Sequence, residues 1–268
     1  MNRLEQRLLA LKKGNRKALS LYVTAGFPHF EDTVPLIIEM SKHGADLIEL
    51  GIPFSDPIAD GPTIQASSEA ALRNGVTLDK TLKMASEIRR SCDIPLILMG
   101  YSNPIYRFGL EKFLDACVTN GIDGTIIPDL SLEESDNYRS MAQKRNISSI
   151  YLAAPTTADD RMRRLDEVST GFLYCVSITG VTGERKGLGP QVTEFLRRAR
   201  KNVTKNPLLV GFGISTPDDA ALIAKHCDGV VIGSALVNIL KDSKGDKAFR
   251  KAVEFVAAMR SALDSGTH

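Results

Sequence analysis

Short apolar runs rich in Val, Ile and Leu recur along the chain, each followed by a loop and then by a longer stretch with apolar residues at helical spacing. The runs are Ala18–Thr24, Asp46–Gly51, Pro95–Gly100, Gly124–Pro128, Ile147–Ala153, Gly171–Val176, Pro207–Gly211 and Gly229–Gly233. Most are apolar at successive positions, the pattern of parallel strands covered on both faces. Between them, helical periodicity predicts helices over Glu31–His43, Leu78–Arg90, Leu110–Asn120, Ala158–Val168, Gln191–Lys201 and Asp246–Leu263. Gly44 follows the first of these as a C′ glycine. Ser131 with Glu134 fits a capping box, and Thr216-Pro217-Asp218-Asp219 gives a cap, an N1 proline and first-turn acids. The first residues form a charged amphipathic segment with Leu4, Leu8 and Leu11 on one side.

Eight strand–helix repeats in this length predict a single α/β domain over residues 1–268: a (β/α)8 TIM barrel with an extra N-terminal helix. An open doubly wound sheet is the other arrangement of such alternation, but no GxGxxG opens a helix after the first run. With 34 Lys+Arg against 32 Asp+Glu, the chain offers no electrostatic footprint for nucleic acid. The basic clusters around Arg161–Arg164 and Arg197–Lys201 read as solvated helix faces. No apolar run approaches the roughly 18 to 20 residues that span a bilayer. Cys92, Cys117, Cys175 and Cys227 form no CxxC pair and read as buried thiols, which suits a cytoplasmic protein.

A barrel of this kind carries its chemistry at the C-terminal ends of the strands. Glu49 sits near the end of an apolar run, where burial raises a carboxyl toward the range of proton transfer. Asp60 lies in the proline-punctuated loop beyond. Two bland readings stand beside these: Glu49 in an internal salt bridge, and Asp60 capping a helix that begins at Pro62. A second cluster is glycine-rich and spread over Gly180–Gly189, Gly211–Ser215 and Gly233–Ala235, where backbone N–H groups and the helix opening at Ser234 suit a phosphate. The long loop through Gly180–Gly189 has no periodic structure of its own and suits a lid. Tyr22, Ile64, Met99, Tyr101, Ile127, Leu152, Tyr174 and Phe212 are either ordinary core or the wall of an apolar pocket for a flat ring. No lysine lies inside or at the C-terminal end of a run, the four histidines are scattered without a metal constellation, and no GxSxG is present.

The stretch ELGIPFSDPIADGPTIQ over Glu49–Gln65 closely resembles the signature of the tryptophan synthase α chain family. MGYSNP over Met99–Pro104, IPDL over Ile127–Leu130, GVTG over Gly180–Gly183, GFGIS over Gly211–Ser215 and Gly233-Ser234 follow in the family's order, so the resemblance spans the whole chain. It implies cleavage of indole-3-glycerol phosphate to indole and glyceraldehyde 3-phosphate, with Glu49 and Asp60 as the catalytic carboxylates. Phosphate contacts then fall on Gly183, Gly213, Gly233 and Ser234, and Thr182 becomes the lid residue that meets Asp60. The resemblance also implies an αββα complex. This chain then carries no cofactor or metal, and pyridoxal phosphate belongs to the β subunit. Asp56, Pro57, Asn103 and Pro104 are the positions expected to face that partner. Tyr22 stands where the family commonly has Phe, and Ser131 where many members have Pro. Two other functions remain open: a barrel that mainly binds and regulates a partner, and a phosphosugar isomerase, which would want an acid–base pair on the first and fifth strands.

Overall fold

The computed structural model of the chain describes residues 1–176, 189–211, 213–242 and 245–266. Helix α1 (Arg3–Lys13) precedes eight strands: β1 (Ala18–Thr24), β2 (Leu47–Gly51), β3 (Leu96–Met99), β4 (Gly124–Ile126), β5 (Ser148–Ala153), β6 (Leu173–Val176), β7 (Leu208–Gly211) and β8 (Gly229–Ile232). Each pairs in parallel with the next, and β8 pairs with β1, so the sheet closes into the barrel expected from the repeats. Helix α2 (Thr33–Lys42) follows β1, while α3 (Pro62–Arg73) and α4 (Leu78–Ser91) follow β2. Helices α5 (Ser102–Phe108) and α6 (Leu110–Thr119) follow β3, α7 (Asp136–Lys144) follows β4, and α8 (Asp159–Val168) follows β5. The circuit ends with α9 (Pro190–Asn202), α10 (Pro217–Ala224), α11 (Ser234–Asp242) and α12 (Asp246–Ser265).

Two apolar cores result. The larger lies between the strands and the outer helices and includes Leu19, Leu21, Leu36, Ile48, Leu50 and Phe113. The smaller fills the barrel: Ala18, Leu47, Ile97, Ile126, Ile150, Tyr174, Leu209 and Val231 meet there, with Leu4, Leu8 and Leu11 of α1 closing its lower end. Side chains two residues apart share a face of a strand. Ser20 and Tyr22 therefore follow Ala18 into the barrel, and Glu49 follows Leu47.

The lower end is fastened by carboxylates. Asp46 accepts from Leu19 N and from Arg7 and Arg260, and Asp123 accepts from Leu96 N, Arg3 and Arg89. The basic clusters lie on helix faces in local pairs, such as Arg161 with Glu133 and Arg197 with Glu194.

Four local expectations need correction. Ser131 donates to the Glu134 side chain and caps no helix; α7 begins five residues later, at Asp136 after Ser135. Asn103 and Pro104, which read from the sequence as the start of the loop after the third strand, lie in a helix, Ser102–Phe108, and Asp129 accepts from both Ser102 N and Ser102 Oγ at its start. Cys117, Cys175 and Cys227 are buried, but Cys92 is only half-buried. Asp60 caps nothing: Gly61 is the N-cap residue of α3, without a side-chain cap.

Candidate active site

Glu49 lies in the middle of β2, fully buried at the upper edge of the barrel filling. Among the described residues no cation pairs with it, so the salt-bridge reading finds no support there. Its Oε1 accepts a hydrogen bond from Ser20 Oγ at 2.8 Å, and its Oε2 has no partner among the described residues. Burial pushes the carboxyl up to about 7, opposed by the Ser20 hydrogen bond.

Asp60 is half-buried on the loop between β2 and α3. Burial pushes it up to about 6, opposed by hydrogen bonding from the Tyr101 phenol. The same phenol accepts from Ala59 N at 3.0 Å, and its ring packs on Phe54 with centroids 5.3 Å apart. Tyr101 thereby ties the Asp60 loop to the end of β3.

Tyr22 and Tyr174 bring phenols to the same region, both buried and both held protonated chiefly by that burial. Asp60 and Glu49 act electrostatically on both of them. Each ring needs a glycine beside it. A Cβ on Gly51 would stand 2.2 Å from the Tyr22 hydroxyl, and one on Gly211 would stand 2.6 Å from that of Tyr174. Thr24 Oγ1 lies 3.4 Å from the Tyr22 hydroxyl and 2.7 Å from Ser67 Oγ of α3, which places β1 and α3 in register.

Ile64 on α3 and Ile127 beyond β4 are buried, whereas Met99 and Leu152 are partly exposed at the ends of β3 and β5. Gly213, at φ +62°, takes a backbone conformation that favours glycine. Gly233 leads directly into α11, whose first residue is Ser234, and Val237 N bonds to the Gly233 carbonyl. A helix N-terminus offers N–H groups and the positive end of the helix to an anion. Thr182, Gly183 and Phe212, and with them the lid expected over Gly180–Gly189 apart from Gly189 itself, lie outside the described residues.

Asp56 is exposed, with Ser55 Oγ bonded to it, and Pro57 precedes Ile58, which is 83% exposed. Asn103 and Pro104 lie in α5, close to exposed Tyr106. Among the described residues no group of three or more His, Cys, Asp or Glu is arranged to hold a metal, and no helix is long and apolar enough to cross a membrane. A polar cleft of about 370 Å³ opens at the opposite end of the barrel, between Asn2, Arg139 and Lys205. Its Lys205 Nζ is already bonded to the carbonyls of Glu167 and Ser169.

Sequence reasoning missed Ser20 and Thr24. The available signal was a hydroxyl residue on the inward-facing register of an otherwise apolar strand.

A family model for the tryptophan synthase alpha chain matches residues 8–265. The tryptophan synthase alpha chain of Geotalea uraniireducens (strain Rf4) is 45% identical over 263 residues, covering 98% of each chain. That of Petrotoga mobilis is 46% identical over 233 residues, covering 87% of this chain and 90% of its own. Among solved structures, tryptophan synthase subunit alpha from Legionella pneumophila str. Paris is similar with a TM-score of 0.91 at 41% identity, covering 99% of both chains. A chain of tryptophan synthase from M. tuberculosis in its aminoacrylate-bound form gives a TM-score of 0.87 at 30% identity, covering 98% of this chain and all of that one, 100%.

Proposed function

The chain belongs to the tryptophan synthase alpha chain family, and from that premise we propose that Glu49 and Asp60 carry out the family's reaction here. That reaction is the retro-aldol cleavage of indole-3-glycerol phosphate to indole and glyceraldehyde 3-phosphate, the alpha subunit's step in tryptophan biosynthesis. The observation that carries the assignment is a fully buried carboxyl, one oxygen of which has no partner among the described residues, whose burial pushes its pKa up to about 7.

The cleaved bond joins C3 of the indole ring to a glycerol carbon that bears a hydroxyl. Glu49, in its protonated form, gives its proton to C3. The ring becomes an indoleninium, and the Asp60 carboxylate accepts a hydrogen bond from N1–H and stabilises the positive charge. Glu49, now ionised, takes the hydroxyl proton. The C–O bond becomes a carbonyl, the C–C bond breaks, and its electron pair returns to the ring, giving neutral indole. Glu49 ends the cycle protonated, so every proton and electron is accounted for by two carboxyls and the substrate. In this reading the chain uses no cofactor of its own, and pyridoxal phosphate belongs to the partner β subunit.

Tyr22, Ile64, Met99, Tyr101, Ile127, Tyr174, Thr182 and Phe212 surround the indole in this assignment, and Gly183, Gly213, Gly233 and Ser234 hold the phosphate. The exposed Asp56–Pro57 turn and the start of α5 at Asn103 and Pro104 face the β subunit of an αββα assembly. We take residues 1–268 as one barrel domain working in the cytoplasm, where the unpaired thiols suit a reducing compartment.

Glu49→Gln keeps the shape of the site and removes proton transfer. Indole release should fall by about 10²-fold or more, while affinity for an uncleavable substrate analogue stays within a few fold. Asp60→Asn should also be severe, because an amide carries no charge to set against N1–H. Near-normal release by both variants would exclude this assignment.

A further inference from the structure

The two oxygens of the Glu49 carboxyl have different surroundings. Oε1 accepts from Ser20 Oγ at 2.8 Å, Oε2 has no partner among the described residues, and both side chains are fully buried. Ser20 pairs in register with Leu47, whereas Glu49 pairs with Tyr22. The hydroxyl thus reaches the carboxyl from the layer nearer α1, below the level at which a substrate enters from the loops.

A neutral carboxyl has one oxygen that only accepts and one that carries the proton. A donor bonded to Oε1 satisfies the accepting oxygen and competes with a proton there. Ser20 has a single hydroxyl proton, and this bond uses it. We propose that Ser20 is a positioning residue for the cleavage: its hydroxyl fixes Oε1 as the accepting oxygen and leaves Oε2 as the oxygen that bears the transferable proton. The proposal rests on the reading of Glu49 as the acid that protonates C3.

The groups facing Glu49 come from several elements. On β1 they are Ser20 and Tyr22, on β3 the apolar Ile97 at its register position, and on β6 Tyr174. Asp60 acts on the two phenols from the loop after β2. Both phenols stay neutral through the working range because burial raises them. The Ser20 bond is therefore the polar contact that opposes burial at Glu49. Its loss has two consequences. The proton is shared between both oxygens, which lowers kcat, and the carboxyl holds its proton to higher pH, because a donor that favours the ionised form is gone. A serine that merely filled space would produce neither.

The test compares the unmutated chain with Ser20→Ala and Ser20→Thr, with Glu49→Gln as control. Indole release is followed from about pH 5 to about pH 9. The Glu49 carboxyl is titrated in the ligand-free protein by 13C NMR, its resonance assigned by its absence in Glu49→Gln. For Ser20→Ala we expect kcat down by about threefold to tenfold, the scale of one hydrogen bond. The alkaline limb and the Glu49 resonance should both move up by about half a pH unit or more. Ser20→Thr, which keeps the hydroxyl, should hold the original profile. If Ser20→Ala does not fold, Ser20→Cys, similar in shape with a weaker donor, is read the same way. An unmoved limb and resonance in Ser20→Ala, or a Thr variant displaced as far as the Ala variant, overturns the role of Ser20 while Glu49→Gln remains inactive. A Glu49→Gln variant that still cleaves overturns the reading beneath it.

Discussion

Glu49 and Asp60 are both pushed toward neutral pH by burial, and in each a hydroxyl opposes the shift: Ser20 from inside the barrel for Glu49, Tyr101 from the end of β3 for Asp60, with Glu49, the weaker acid to begin with, ending higher. The separation gives one group that is protonated and one that is ionised between about 6 and 7. Tuning has a cost in stability. The folded Glu49 titrates near 7, above the ordinary 4.5 of an unfolded chain. As pH rises from about 4.5, the unfolded chain ionises first and folding is progressively penalised, until the folded carboxyl also ionises near 7. Above that the penalty is constant, of order 3 kcal/mol. Glu49→Gln has no such titration, so its stability relative to the unmutated chain should grow by up to about 3 kcal/mol between about pH 4 and pH 8. Urea unfolding at the two pH values measures this, and a difference that does not grow would mean that Glu49 is not buried in the way described. Glu49 was legible in the sequence because an acid inside an apolar run has few structural excuses. Ser20 was not, because its importance appears only when the stagger of two strands sets its hydroxyl beside a residue 29 positions away.

The strand–helix units were legible as elements because burial on both faces leaves continuous apolar runs, and all eight predicted strands are present in the closed sheet. The misreadings share a physical origin in short segments. Ser131 and Glu134 have the spacing of a capping box, but their side chains bond to each other and the helix starts later. Helix α5 is too short for periodicity to reveal, and Asp129, from the next strand's loop, supplies its first acceptor. At α11 the functional argument is of the same local kind. Among the described residues a Cβ on Gly233 would meet Tyr22, its Cβ at 3.4 Å and its ring at 3.8 Å, ordinary contacts, so Gly233→Ala fits the fold. It should weaken glycerol-phosphate ligands by about tenfold, or about 1.4 kcal/mol, by intruding on the anion's approach to the helix. A ligand lacking the phosphate should lose almost nothing. Calorimetric titration of both ligands decides the matter, and equal losses would remove the phosphate from this helix.

At the scale of the whole molecule the barrel has two unlike ends. The lower end, with α1 seated by Arg3 on Asp123 and Arg7 on Asp46, is fastened by ion pairs that no local pattern reveals, since the partners lie far apart in the chain. The upper end carries the loops, the carboxyls and the exposed Ile58. Indole is an apolar product that benefits from direct transfer, and the loop from Pro53 to Asp60 joins the strand of Glu49 to any surface docked on it. Adding a matching β subunit should therefore raise indole release. Asp56→Ala should blunt that stimulation and spare the basal rate of the isolated chain. A β subunit without effect on the unmutated chain would favour a stand-alone lyase.

Cleavage needs a protonated Glu49 and an ionised Asp60 at once, so the pH dependence of kcat/KM for indole release reports on both carboxyls together. The expected profile is a bell with limbs near 6 and near 7. Residual activity in Glu49→Gln should lack the alkaline limb. In Asp60→Asn the enzyme's share of the acid limb should disappear, leaving only the limb of the substrate phosphate, which itself titrates at about 6. A profile flat across this range, or an alkaline limb that survives in Glu49→Gln, would mean that these two carboxyls do not carry the proton transfers.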